Sequence, residues 1–264
     1  MPPIDPAHLR ARTDALAAQF EDTAGLAAGL RRLLDDYADR THRPSPRVIT
    51  SSVDNAYKAP GPVVRAIVTA LRPPARANPG AALAAAERIW AGRSREERRI
   101  AAELVGVVAL QHPAEALAQI EAWMPQIETG ETADALAEHA LGPLILADPP
   151  RYLEAALRWV THPIKWVRRF GLAALMPLVH DKDWDNVPAA LAVIRHAMTD
   201  ADGEVRRAAA AALAGLAPKS PAEISRFLRE QAVRPNSNTS WIVRNAMVGL
   251  GAAEQAEIIR LLRA

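Results

Sequence analysis

Cysteine is absent. Disulfides and thiolate metal sites are therefore excluded, and the chain suits a reducing compartment, so a cytoplasmic location is expected. Aromatic residues make up only 5% of the chain, and β-branched residues are sparse. Strands favour both kinds of residue, so a β-rich fold is disfavoured. Lysine is scarce too. Only Lys58, Lys165, Lys182 and Lys219 stand among 32 basic residues, and the rest are arginine. No apolar run approaches the ~18 residues of a membrane span. The opening MPPIDPAHLRARTDALAAQF lacks the apolar core of a signal peptide, so none is expected. The seven histidines show no metal-ligand spacing, and there is no phosphate-binding loop, dinucleotide-binding loop or nucleophile motif. Neither a metal nor a cofactor is expected.

What remains is helical. Alanine, leucine, arginine and glutamate dominate, and apolar residues recur every three or four positions. Leu153, Ala156, Leu157 and Val160 form one such series, and Val167, Phe170, Ala174 and Leu178 another. The 21 prolines stand largely between these segments, as at Pro73–Pro74, Pro149–Pro150, Pro163, Pro188 and Pro235. About fourteen or fifteen short helices follow from this punctuation. No linker interrupts the chain. The expectation is one all-α, monomeric domain over 1–264, with a helical cap at 1–45, repeats over 46–250 and a last helix at 251–264. Ser51–Ser52 and Asn236–Thr239 read as loop or capping residues.

The helices repeat. Leu71, Leu104, Leu141, Leu175, Leu213 and Leu250 can be aligned, at spacings of 33, 37, 34, 38 and 37 residues. That is the period of HEAT-like helical hairpins, which stack into a curved α-solenoid. Six positions before each leucine stand Arg65, Arg98, Ala135, Arg169, Arg207 and Arg244. Equivalent positions of a solenoid share one surface, here expected to be the concave one. A row of guanidiniums at helix N-termini suits a DNA backbone. Arg168, Arg206 and Lys165 would thicken the row, and Trp166 and Trp241 stand beside it. Arginines at such positions can equally brace the scaffold against aspartates in the turns, with Asp181, Asp200 and Asp202 available. Both readings stay open. Trp184, ahead of a helix, is either a hydrophobic staple or an exposed contact.

The third repeat, GETADALAEHAL (130–141), has no arginine in the row, and Asp134 immediately precedes the empty place. A carboxylate there would repel phosphate unless it serves chemistry, such as stabilising positive charge on a sugar or orienting water. Otherwise it is an ordinary acid of a first helical turn. Glu131 and Glu138 lie one turn to either side.

Four segments now point the same way: YKAPGPVVRAI (57–67), IWAGRSREERRIAAELVG (89–106), LRWVTHPIKWVRRFGLAAL (157–175) and DADGEVRRAAAAAL (200–213). In order and spacing, over about residues 55–250, they resemble the HEAT-like DNA alkylation repair proteins, the AlkD-type glycosylases. The resemblance implies binding of double-stranded, alkylated DNA and cleavage of the N-glycosidic bond of N3- and N7-alkylated purines. It implies a carboxylate that stabilises an oxocarbenium-like sugar and helps position water, and a lesion held against the protein surface. Asp134 falls at that carboxylate, and Arg169 at an arginine that contacts phosphate beside the lesion. Two aromatic positions of the family are Gly130 and Ala211 here. Their loss removes cation–π contacts of ~0.5–2 kcal/mol each and opens the surface. The expected DNA contacts are Arg65, Lys165, Trp166, Arg168, Arg169, Arg206, Arg207 and Arg244. Two alternatives remain: a non-catalytic relative that binds DNA structure, and a protein–protein scaffold.

Overall fold

Polar residues that accept hydrogen bonds from a helix's first amides stand at the head of most helices. Asp5, Asp22, Asn78, Thr129, Asp148, Asn186, Asp202 and Asn236 each cap one through the side chain. Ser94 and Glu97 form a reciprocal capping box. In the computed structural model, which describes residues 4–39 and 56–263, these caps delimit an all-α fold with no strand among the described residues. Ser51–Ser52 and the expected boundary at 45/46 lie outside the described residues. No described helix is long and apolar enough to cross a membrane.

The chain divides into two compact units, residues 1–120 and 121–264. The first contains α1 (Pro6–Ala17), α2 (Thr23–Asp36), α3 (Gly61–Ala77), α4 (Pro79–Trp90) and α5 (Arg95–Val108), and the division falls within α6 (Pro113–Trp123). Helices α1, α3 and α5 pack side by side in one layer, and α2 and α4 in the other. The second unit contains α7 (Gly130–Ala135), α8 (Gly142–Ala147), α9 (Pro149–Val160), α10 (Lys165–Ala173), α11 (Met176–His180), α12 (Val187–Arg195), α13 (Gly203–Leu216), α14 (Pro221–Ala232), α15 (Ser237–Ala246) and α16 (Ala252–Leu261). One layer runs α7, α10, α13, α15, and the other α9, α12, α14, α16. This alternation is that of stacked helical hairpins. All six aligned leucines are buried, as the repeat requires.

Close helix approach depends on small residues. At Gly171 of α10, an added Cβ would lie 2.9 Å from the Val160 backbone nitrogen and 3.3 Å from the Ala156 carbonyl oxygen of α9. Trp159 and Phe170 meet edge to face beside this contact, with ring centroids 5.2 Å apart.

The prolines correct part of the expected punctuation. Pro73 and Pro74 do not end a helix; they lie inside α3, between the buried Leu71 and Ala75. Packing of that apolar face outweighs the hydrogen bonds lost to proline. Two residues beyond the aligned Leu141 and Leu175, prolines do interrupt. Pro177 follows the end of α10, and Pro143 follows a π-helical turn at Leu136–Leu141. A proline ring clashes with the carbonyl four residues earlier, and widening the turn relieves that clash.

Candidate active site

The capping hydroxyl of Thr129, which accepts from the Thr132 amide at 3.2 Å, starts α7. Asp134 stands on this short helix, immediately before the π turn. Its side chain is 51% exposed, and both carboxylate oxygens accept from Nη2 of Arg169, at 2.9 and 2.7 Å. Arg169, on the adjacent α10, is itself only 12% exposed. Its Nη1 donates to the Glu204 carbonyl oxygen of α13 at 3.0 Å and lies 3.3 Å from Glu204 Oε2. The other oxygen of Glu204 accepts from Arg207. A chain of alternating charge, Asp134–Arg169–Glu204–Arg207, thus crosses three neighbouring helices.

Gly130 makes this arrangement feasible. A Cβ on it would stand 2.9 Å from Cζ, Nε and Nη2 of Arg169. The guanidinium therefore occupies the space that any side chain at 130 would fill. The absent aromatic and the ion pair are one fact seen from two residues.

These groups border a groove of about 360 Å³. Leu172, Ala173, Met176, Ala208 and Ala211 supply apolar lining, and Asp134, Glu138, Glu204, Arg169, Arg207 and His180 the polar part. Ala211 is the second position without an aromatic, and it opens into this same space. Desolvation by the surrounding protein pushes the Asp134 carboxyl above the ordinary aspartate value. The charge and hydrogen bonds of Arg169 pull the other way, while Glu204 and Glu131 add to the rise.

The other expected contacts divide into engaged and available side chains. Arg168 pairs with Asp200 at 2.6 and 3.2 Å and donates to the carbonyls of His162 and Pro163, so Asp200 braces the scaffold as one reading held. Lys165 lies 3.4 Å from Asp202 and 4.7 Å from the centroid of the half-buried Trp166. Arg206 bonds to Asn238 and stacks over the partly exposed Trp241, 5.5 Å from its centroid. Asp181 takes no arginine among the described residues; its carbonyl accepts from Lys219, which also donates to the carbonyl of Trp184. Trp184 is buried, which fits a staple and removes it as an exposed contact. Arg244 is exposed, and the structure assigns it no hydrogen bond or ion pair among the described residues. The same holds for Arg65 in the first unit, also exposed. Arg98 departs from the expected surface row: it is buried, 5.1 Å from the Trp90 ring centroid.

Sequence reasoning did not single out Glu204, Met176 or His180. Glu204 carried one signal, its i,i+3 spacing to Arg207. The approach of Arg169 from another helix left none.

A family model described as DNA alkylation repair enzyme matches residues 30–250. No curated protein matches the chain.

Proposed function

Because the chain belongs to the DNA alkylation repair enzyme family, and such a family acts on DNA, we propose that the groove beside Asp134 is a glycosylase site for alkylated purines. The observation that carries this reading is a half-exposed carboxylate at the edge of an apolar groove, desolvated enough to titrate above ordinary aspartate. Alkylation at N3 or N7 leaves a purine cationic. When its C1′–N bond breaks, the base departs with the bonding pair as a neutral molecule, and positive charge passes to the sugar. A fixed carboxylate close to that sugar stabilises the developing charge more than it stabilises the substrate. Water then attacks C1′ and its proton leaves to Asp134 or to solvent. The base is already a good leaving group, so no strong general acid is needed. Duplex DNA is held on the second unit by the exposed cations Arg207 and Arg244, with Lys165, Trp166 and Trp241 on the same layer of helices; Arg65 is the exposed cation of the first unit.

The test compares release of N3- and N7-methylated purines from methylated duplex DNA by the wild type and Asp134→Asn. Release by the wild type and its loss in the variant supports the reading. A second reading has its own observation: both oxygens of Asp134 are tied to Arg169. A carboxylate held by a cation in this way also suits a non-catalytic protein that binds DNA structure. Absence of release by either protein, with salt-sensitive duplex binding intact, would select that reading. Absence of both release and binding would return the repeats to a protein-interaction role.

A further inference from the structure

We propose that Glu204 is a positioning residue for Asp134, dividing the Arg169 guanidinium between two carboxylates, and that Gly130 is the space through which the divided guanidinium reaches Asp134. The inference rests on Asp134 being the reactive carboxylate.

The hydrogen-bond pattern carries it. An arginine paired with one carboxylate presents a two-nitrogen fork, one nitrogen to each oxygen, and that is its strongest arrangement. Asp134 does not receive the fork. Its two oxygens share the single nitrogen Nη2, at 2.9 and 2.7 Å, while Nη1 is committed to the carbonyl and carboxylate of Glu204 at 3.0 and 3.3 Å and the buried Nε bonds to neither. Glu204 is in turn steadied by Arg207. Asp134 is thus held in place by half of a guanidinium. It is oriented, yet less neutralised than a full pair would leave it. That compromise suits a carboxylate that must stay fixed and still face a cationic sugar.

Gly130 sets the other limit. The guanidinium lies where a Cβ would stand, at 2.9 Å. Even alanine at 130 must displace it, and displacement removes the cation from Asp134 rather than strengthening it.

The two residues therefore act in opposite directions. The titratable and charged groups that act on Asp134 or share its groove are Glu131 and Glu138 on its own stretch of chain, Arg169 and His180 from α10 and α11, and Glu204 and Arg207 from α13. Glu204→Gln removes one negative neighbour of Asp134 and loosens the side-chain hold on Nη1, which keeps only its bond to the backbone carbonyl. Gly130→Ala pushes the cation away from Asp134.

The experiment is a carboxyl-carbon NMR titration of the full chain labelled at aspartate. Asp134→Asn assigns the Asp134 signal, and circular dichroism confirms that each variant is folded. The expected result is an Asp134 titration displaced to lower pH in Glu204→Gln and to higher pH in Gly130→Ala. In the base-release assay, the acid limb of the pH profile moves the same way in each variant. Midpoints left at the wild-type value, or displaced in the same direction by both substitutions, would overturn the inference. If the wild type releases no base while the midpoints move oppositely, the division of Arg169 stands and the glycosylase reading fails. The two ideas are thereby tested separately.

Discussion

Arg168 and Arg169 are adjacent and identical in type, yet they end in different surroundings. Arg168 points into the hairpin turn and is held by Asp200 and two carbonyls. Arg169 points along the helical layer to Asp134 and Glu204. Successive helical residues project about 100° apart, so one of the pair must leave the shared face. Asp202 shows how local charge acts in the same turn. It caps α13 through the Glu204 amide at 2.8 Å. Burial alone would raise its carboxyl, but that amide and the nearby Lys165 outweigh burial and hold it below the ordinary value. An acid whose folded value is depressed binds fewer protons folded than unfolded near that value. Its stabilisation is present above the unfolded value and disappears as pH falls through the folded one. Asp202→Asn retains a capping oxygen, so the substitution tests charge. Chemical denaturation should find the variant about 0.5 kcal/mol less stable at neutral pH. That difference should vanish below the folded-state value of Asp202. A gap that persists unchanged in acid would assign it to packing instead.

At the scale of the helix, two devices position the site: close packing and proline breaks. Gly171 lets α10 lie against the backbone of α9, and α10 carries Arg169. Gly171→Ala places a methyl group against backbone that cannot rotate away. Overpacking of this kind costs about 1–3 kcal/mol, against the gain of a few tenths to ~1 that alanine brings to a permissive helix site. Thermal unfolding of the variant should start lower; an unchanged or higher midpoint would show that α9 and α10 can separate without cost. The π turn after Asp134 and the break after Ala173 have a common origin in Pro143 and Pro177. The leucine alignment placed the repeats but did not single out these prolines. It could not tell them from Pro73, which the helix absorbs.

For the whole molecule, a net charge of +2 is too small to attract DNA by itself. Which cations are available therefore matters more than how many there are. Each phosphate contact contributes about one to the slope of log affinity against log salt. Arg207→Ala and Arg244→Ala should each reduce that slope by about one. Arg168→Ala should leave it unchanged while lowering stability, since its side chain is mostly buried and its donors are committed within the fold, whereas Arg207 stays more than half exposed beside Glu204. Equal slopes for all three variants and the wild type would remove the phosphate role of the arginine row.

Helix content, hairpin period, the buried leucines and the placing of caps such as Asn236 were legible in the sequence, because each depends on neighbours within a few positions or on a regular repeat. Asp134 could be singled out for the same reason: it stands beside the gap in a periodic row. Its electrostatic state could not be read there. The partners that set it, Arg169 and Glu204, stand 35 and 70 positions away and reach it across two helix contacts. Gly130 read as a lost aromatic, and only the packed helices made it the space a guanidinium fills. Local propensity and period determined the elements. The distances between side chains on different helices, on which charge and hydrogen bonding depend, were decided by tertiary packing alone.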